Sequence, residues 1–430
     1  MRRAKSWLFS LIWIKIMSDD STENFLRLDL IKDSDDIEIF FAGKDFQRFL
    51  TDVKTISVVE WDNREKYWKS NILQYKEIVD CFSKWDKNNI KKIVTGKLYK
   101  RAQEYHQKLE KLEELKKKQI VDLPENKLFK GSLLDFQTVG AKYLYDKRRA
   151  LLADPTGSGK TPQTLWAATK MIEDGIINHC MIICPNSLKQ QWKTEIQKFT
   201  NCSAIVIGGS NEPKGPKGDK RNVRKYHYQL DRDFHITNYE SLRIDYTQNV
   251  VPDNKFNLLI LDEAQKCKTH TTKLYKFCMK KFANESKYIF LCTATPFENR
   301  IEELYTILSM VEPKLIGTYY QFQHKHIVLN YFGSVATYVN KELFKDKIRS
   351  ISIRRKRSEI LKDLPGNVIK NKEFPLSQGH QKIYDLVRKQ KVAELQELMS
   401  QKGVKISNAT VMTMIHYLRQ CANDTRLIDC

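Results

Sequence analysis

The chain has 430 residues, 41% of them apolar, and its 74 Lys and Arg against 52 Asp and Glu give a formal net charge of +22. This length and apolar content suffice for about two or three domains with buried cores, and they exclude a mainly disordered chain. The positive excess favours a polyanionic partner such as nucleic acid, although an A/T-rich genome raises lysine content in the same way.

The first seventeen residues combine basic side chains with an apolar run at residues 7–14, which superficially resembles a signal peptide. Lys15 interrupts the run, no small-residue cleavage site follows, and a membrane-spanning helix would need roughly 20 apolar residues. We interpret residues 1–17 as a leader or a mis-assigned start, with Met17 as the alternative initiator. No other membrane segment is predicted, and the nine cysteines form no C-x-x-C pair. We therefore expect a location in the cytoplasm, that of the host if the source is viral, with the nucleus as an alternative.

Residues 18–96 predict a small α+β module, for which we consider a substrate-targeting role. Strand-like alternation occurs at residues 37–41 and 55–61. Four aromatic residues are expected to form its core: Trp61, Trp68, Tyr75 and Trp85. Residues 97–126 predict a charged helix and linker, because apolar residues recur at helical spacing before a proline.

From residue 127 to residue 315, short apolar strands alternate with helical patterns, which is typical of a parallel α/β sheet with helices on both faces. Six strands are predicted, at residues 150–153, 180–184, 204–207, 235–237, 258–261 and 288–292. They suffice for one RecA-like sheet of the P-loop NTPase class. Residues 316–430 predict a basic, helical extension.

A glycine-rich motif, D-P-T-G-S-G-K-T at residues 154–161, lies between a predicted strand and a predicted helix. Gly157 and Gly159 would let backbone N–H groups approach phosphate oxygens, and the helix N-terminus adds a positive dipole. Lys160 would bind the β- and γ-phosphates of ATP, and the Thr161 hydroxyl would coordinate Mg²⁺. The predicted nucleotide contacts of this loop are Asp154, Pro155, Thr156, Gly157, Ser158, Gly159, Lys160 and Thr161.

An acidic pair ends the apolar strand of L-L-I-L-D-E-A-Q, residues 258–265. Two carboxylates at the end of a buried strand are costly unless a metal or a reaction uses them. Asp262 would hold Mg²⁺, and Glu263 would orient and deprotonate the attacking water. Gln265 would sense the γ-phosphate or couple to neighbouring motifs. A helix cap is the alternative for this motif alone, and the phosphate loop upstream disfavours it.

The order of these motifs resembles the helicase-like ATPases of superfamily two, and within them the Swi/Snf family of double-stranded DNA translocases. L-L-D-F-Q at residues 133–137 is similar to the family's adenine-recognising element, which makes Gln137 the expected adenine contact. Further similar segments follow in the family's order at residues 182–192, 236–242, 293–299, 353–365 and 418–424. The resemblance covers about residues 130–430. It implies an ATPase that uses ATP and Mg²⁺ and acts on duplex DNA in remodelling, recombination or repair.

The segments at residues 182–192 and 236–242 resemble the family's DNA-side elements. The DNA contacts that this implies are Pro185, Lys189, Asn238 and Tyr239. The basic run at residues 354–357 has two interpretations, a motor element and a nuclear localisation signal. The phosphate loop and D-E-A-Q depart from the family's usual E-M-G-L-G-K-T and D-E-A-H, which leaves a phage-type or restriction-type motor as an alternative.

A second RecA-like lobe is an expected partner, encoded in the same gene or supplied in trans. In this family it supplies arginine fingers, worth on the order of a thousandfold in rate, and no Q-x-x-x-R-x-x-R motif follows Asp262. We therefore expect this half alone to hydrolyse ATP poorly. Two alternatives stay open: a strand-separating DNA or RNA helicase, and a single-lobe nucleotide- or DNA-binding accessory protein without turnover.

Overall fold

The computed structural model divides the chain into two compact units, Met1–Lys362 and Asp363–Cys430. It describes residues 24–85, 90–213, 215, 220–253, 255–283, 286–296, 300–331, 333–360, 372–400, 408–424 and 426. Several sequence predictions lie wholly or partly outside the described residues, among them parts of the module 18–96 and of the extension 316–430. The leader at residues 1–17 lies wholly outside them, and so do the ends of the segments 293–299 and 353–365.

A five-stranded sheet of order β3-β4-β2-β1-β5 forms the amino-terminal module. Its strands are β1 (Asn24–Leu30), β2 (Asp36–Ala42), β3 (Glu60–Asp62), β4 (Tyr67–Asn71) and β5 (Ile90–Val94), and its helices are α1 (Phe46–Val53) and α2 (Tyr75–Ser83). Alternate residues of β1 and β2, among them Leu26 and Ile37, are buried against Phe49 of α1 and Ile78 of α2. The alternation of apolar and polar residues therefore gives the sheet one covered face.

Two expectations for this module were wrong. Most of residues 55–61 is not a strand, because Ile56 and Val59 reach the core from turns and only Glu60–Asp62 is extended. Trp61 is 41% exposed, since it lies on edge strand β3, and its ring contacts Trp68 at 5.5 Å between centroids. An apolar pattern over a few residues does not distinguish a strand from a turn that packs on the core.

A seven-stranded parallel sheet forms the larger part of the first unit, in the order β14-β6-β11-β10-β7-β9-β8. The strands that follow the module are β6 (Arg149–Leu152), β7 (Cys180–Cys184), β8 (Ala204–Val206), β9 (Phe234–Asn238), β10 (Leu258–Asp262), β11 (Tyr288–Cys292), β12 (Ile327–Leu329), β13 (Val335–Tyr338) and β14 (Ser352–Ile353). The six strands predicted from the sequence all lie in this sheet.

Helices cover both faces of the parallel sheet, and successive strand residues enter two apolar cores. Leu151 and Leu259 belong to one core, whereas Leu152 and Ile260 belong to the other. The helices are α3 (Gly96–Lys117), α4 (Asp135–Lys147), α5 (Lys160–Glu173), α6 (Lys189–Phe199), α7 (Lys220–Gln229), α8 (Tyr239–Thr247), α9 (Lys273–Cys278), α10 (Ile301–Val311), α11 (Pro313–Ile316), α12 (Tyr319–His326), α13 (Lys341–Ile351) and α14 (Arg357–Ile360). The predicted RecA-like α/β fold, preceded by a small α+β module, is confirmed.

The chain after residue 316 is not purely helical as predicted. Strands β12 and β13 form an antiparallel hairpin, and β14 joins the parallel sheet beside β6. Strand β14 has only two residues and is followed by a basic run, so it shows no apolar periodicity from which a strand could be predicted.

The second unit contains a pair of contacting helices, α15 (Gln378–Ser400) and α16 (Asn408–Asn423). The His380 ring hydrogen-bonds the carbonyl of Cys421 and so ties the start of one helix to the end of the other. Across both units, none of the described helices combines the length and apolar character needed to span a lipid bilayer.

Buried polar contacts hold the amino-terminal module against helices α11 to α13. The Glu77 carboxylate forms ion pairs with two ammonium groups. Its Oε2 atom lies 2.7 Å from Nζ of Lys325, and its Oε1 atom lies 2.8 Å from Nζ of Lys347. Gln74 donates to the carbonyl of Leu315 at 2.9 Å. Burial alone would raise the pKa of Glu77, but the charges of Lys347 and Lys325 outweigh it and lower the pKa to about 2. The module is thus joined to the lobe by an ionised cluster.

Candidate nucleotide site

The glycine-rich loop connects β6 to α5 at the carboxyl edge of the parallel sheet. Gly157 and Gly159 have φ angles of +78° and +68°, in the region that favours glycine. Gly159 is required for a second reason, because a Cβ atom there would lie 2.4 Å from Nε2 of Gln137. The loop therefore has the conformation and close packing that the motif predicts.

A cleft of about 350 Å³ brings the loop and the acidic pair together. It is lined by Thr156, Gly157, Gly159, Lys160, Thr161, Leu188, Gln191, Trp192, Glu195, Asp262 and Glu263. The Lys160 ammonium donates to the carbonyls of Asp154 at 3.0 Å and Pro155 at 3.1 Å. The two motifs, about a hundred residues apart in the sequence, thus face one shared space.

Asp262 and Glu263 occupy the end of β10. The Oδ1 atom of Asp262 accepts from the Glu263 N–H at 3.0 Å, and its Oδ2 atom accepts from Nε1 of Trp192 at 2.8 Å. Burial raises the pKa of Asp262 above its ordinary value. The hydrogen bond from Trp192 lowers this pKa, and the neighbouring negative charge of Glu263 raises it further. Glu263 has a φ of +52°, an uncommon conformation for a side-chain-bearing residue that recurs at functional sites.

Gln265 links the acidic pair to the segment after β11. Its Nε2 donates to Oε2 of Glu263 at 2.5 Å, and its Oε1 accepts from the Thr293 hydroxyl at 2.6 Å. The Thr293 hydroxyl in turn accepts from the backbone N–H of Thr295 at 3.1 Å. This chain of hydrogen bonds connects the acidic pair to the segment after β11 through Gln265.

Three predicted nucleotide contacts have side chains behind the loop instead of in the cleft. The Ser158 side chain is buried, with 1% of the residue exposed. Gln137 accepts from the Leu134 N–H at 2.9 Å and donates to the Ser158 carbonyl at 3.1 Å, so its amide supports the loop in this structure. Asp154 is fully buried and pairs with Arg355. The side chains of Asp154 and Ser158 therefore point into the protein, so a contact of either residue with a nucleotide would have to come from its backbone.

The predicted DNA-side residues divide into two groups. Pro185 and Lys189 are half-buried near the surface after β7. Tyr239 is 1% exposed, and its hydroxyl donates to the carbonyl of Asp262 at 2.8 Å. Asn238 is 7% exposed; it donates to the Asn186 side chain and caps α8. The predicted DNA contact through the Tyr239 side chain is wrong, because the ring fills the core below the site.

Several residues of the site were not predicted from the sequence, and two of them, Arg355 and Trp192, bind its carboxylates. Arg355 donates to both carboxylate oxygens of Asp154, to Oε1 of Gln163 at 2.9 Å and to the carbonyl of Phe136. Trp192 contacts Asp262. Two signals in the sequence could have found them. Asp154 stands where the general phosphate-loop pattern has glycine, and a buried carboxylate there requires a cation. The indole N–H of a buried Trp192 requires a hydrogen-bond acceptor.

The parallel sheet, the glycine-rich loop and the facing acidic pair define a RecA-like P-loop lobe. The chain matches the SNF2-related domain model over residues 98–427, and it belongs to that family. The resemblance noted from the motifs is thus confirmed.

The chain is also similar to individual proteins. An uncharacterized ATP-dependent helicase of Mycoplasma pneumoniae is 27% identical over 296 residues, which are 67% of this chain and 26% of the relative. Chromodomain-helicase-DNA-binding protein 8 of Danio rerio is 26% identical over 311 residues, 69% of this chain and 12% of that protein. The Sulfolobus solfataricus SWI2/SNF2 ATPase core, solved in complex with dsDNA, has a TM-score of 0.47 and 24% identity, with 70% of this chain and 60% of that chain covered. The chain spans about a quarter of the Mycoplasma relative's length.

Proposed function

We propose that this chain is the ATP-binding half of a DNA-dependent ATPase of the SNF2 type that acts on duplex DNA. The observation that carries the proposal is the single cleft shared by Lys160, Thr161, Asp262 and Glu263. An ammonium group, a hydroxyl and two carboxylates around a glycine-rich turn form the set of groups that a magnesium nucleoside triphosphate requires. Membership of the SNF2-related family supports this chemistry.

The residues fit Mg²⁺ together with the phosphates of ATP. Thr161 and Asp262 would hold the ion, because it prefers hydroxyl and carboxylate oxygens and shares its coordination with substrate phosphates. The bound ion would neutralise charge on the β- and γ-phosphates. Lys160 would contact the same phosphates, and Glu263 would orient and deprotonate the attacking water. Gln265 would report the state of the γ-phosphate to Thr293.

Duplex DNA is the proposed polymer substrate. The formal net charge of +22 provides attraction to phosphate backbones, and a relative is named as a chromodomain-helicase-DNA-binding protein. Pro185 and Lys189 remain the proposed contacts at the carboxyl edge of the sheet, and Asn238 would act through its backbone or through Asn186. Remodelling, recombination and repair are the processes proposed for such a motor.

Replacing Lys160 with alanine is expected to weaken ATP binding by at least about a hundredfold, because the cleft loses the charge that faces the phosphates. Isothermal titration of MgATP into both proteins measures this difference. Lys170→Ala is the matched control, because it also removes a lysine from helix α5 but at the end away from the cleft. There the Lys170 ammonium pairs with the Glu173 carboxylate at 2.9 Å. Equal affinities for the parent and Lys160→Ala would contradict the nucleotide site.

Duplex DNA is expected to stimulate ATP hydrolysis from a low basal rate, and more strongly than single-stranded DNA or RNA. Phosphate release is measured with each polymer at one salt concentration, with a second RecA-like lobe of the same family added in a parallel set. Glu263→Gln controls for contaminating ATPases, since it should bind MgATP and lose the stimulated rate. Stimulation by single strands or by RNA alone would favour a strand-separating helicase. Binding without turnover in every set would favour the accessory protein.

A further inference from the structure

Two residues from outside strand β10 hold Asp262 by hydrogen bonds. The Trp192 indole N–H donates to the Oδ2 atom, and the Tyr239 hydroxyl donates to the backbone carbonyl, both at 2.8 Å. Both donors are buried, with 4% and 1% of their surfaces exposed. Asp262 is therefore restrained at its side chain and at its backbone by groups that have a single hydrogen atom to donate.

The two donors lie within the two segments that resemble the family's DNA-side elements, residues 182–192 and 236–242. Trp192 lies in the first turn of α6, after Pro185–Lys189, and Tyr239 begins α8 directly after Asn238. Nδ2 of Asn238 donates to Oδ1 of Asn186 at 2.8 Å, which joins the segments to each other. Because β10, β7 and β9 are parallel neighbours, both segments emerge at the edge of the sheet that carries Asp262.

Resting on the proposed nucleotide site, we propose that Trp192 and Tyr239 are positioning residues for Asp262. They orient it as a Mg²⁺ ligand and make its position depend on the two DNA-side segments. Each carboxylate oxygen can accept more than one bond, so the hydrogen bond from Trp192 leaves acceptor capacity for a metal ion. Outer partners of this kind fix the orientation of a metal ligand. If Trp192 were only a core residue, Mg²⁺-dependent nucleotide binding would depend on the presence of its ring and not on its N–H group.

The test separates the indole N–H from the ring. Trp192→Phe keeps an aromatic ring and removes the donor, and Tyr239→Phe removes only a hydroxyl. Both variants are expected to bind MgADP about 10–100-fold more weakly than the parent, and to bind ADP in EDTA with unchanged affinity. Isothermal titration measures both affinities, and ADP avoids any contribution from hydrolysis.

A matched control is available in the amino-terminal module. Trp85 is 3% exposed, and its Nε1 atom donates to Oδ2 of Asp52 at 2.7 Å, so Trp85→Phe also breaks a buried indole–carboxylate hydrogen bond. This control is expected to leave MgADP binding unchanged. A MgADP affinity of Trp192→Phe equal to that of the parent would overturn the inference. An equal loss of metal-free ADP binding would do so too, because it would show a packing role.

A second measurement addresses the dependence on the DNA-side segments. If the segments move Asp262, duplex DNA must change the affinity of the parent for MgADP, and MgADP must change the affinity for DNA by the same factor. In Trp192→Phe, the ratio of the MgADP affinities with and without duplex DNA is expected to fall towards one, which means that the coupling is lost. An equal factor in both proteins, or no effect of DNA on the parent, would overturn the dependence. A parent that binds no nucleotide at all would instead refute the proposed function, and this inference with it.

Discussion

Replacing Arg355 with alanine is expected to lower the free energy of unfolding of the first unit by about 3–5 kcal/mol, as for other buried charges that lose their partner. Asp154 is fully buried, and its carboxylate is paired with the Arg355 guanidinium, which also stacks on the Phe136 ring at 5.1 Å. The alanine variant would leave that carboxylate without a cation. Urea unfolding followed by circular dichroism measures the loss.

The neighbouring Arg354 provides the control, because it lies in the same basic run and is exposed. Arg354→Ala is expected to change stability by less than about 0.5 kcal/mol, as is usual for surface substitutions. Asp154→Ala with Arg355→Ala should cost clearly less than the sum of the two single changes, since the residues contact each other. Additive losses, or equal losses for Arg354→Ala and Arg355→Ala, would show that the pair does not stabilise the phosphate loop.

Glu77→Gln is expected to destabilise the first unit by about 3–5 kcal/mol at neutral pH, because Lys325 and Lys347 would then face a neutral amide in a buried site. Glu342→Gln is the control, since Glu342 pairs with Lys345 at 2.6 Å on an exposed helix surface. Exposed pairs of this kind contribute little to stability. Chemical unfolding of the three proteins in parallel measures the difference, and a loss shared equally by both variants would contradict the role of the cluster.

The same cluster predicts a pH dependence whose sign follows from the pKa of Glu77. This pKa lies at about 2 in the folded protein, against an ordinary value of 4.5. A carboxyl with a lowered pKa stabilises the fold above its unfolded pKa, and this contribution disappears as the pH falls through the folded value. The difference in unfolding free energy between the parent and Glu77→Gln should therefore shrink below pH 4.5. A constant difference down to pH 3 would contradict this assignment.

Local patterns were sufficient to predict the central part of the site. Lys160 follows two glycines between a strand and a helix, and Asp262 ends a run of apolar residues, so both could be assigned to one edge of a parallel sheet. The partners of these residues could not be predicted. Trp192 and Arg355 lie 70 and 201 residues from the carboxylates that they bind, and each resembles an ordinary core or surface residue within its own segment.

The amino-acid sequence by itself determined the α/β class, the phosphate loop, the acidic pair and the family, because these depend on residues close together in the chain. Only the tertiary structure decided that Asp154 pairs with Arg355, that Tyr239 is buried below Asp262, and that β14 completes the sheet. The reason is physical: burial and pairing of charges depend on distances between segments that chain spacing does not specify.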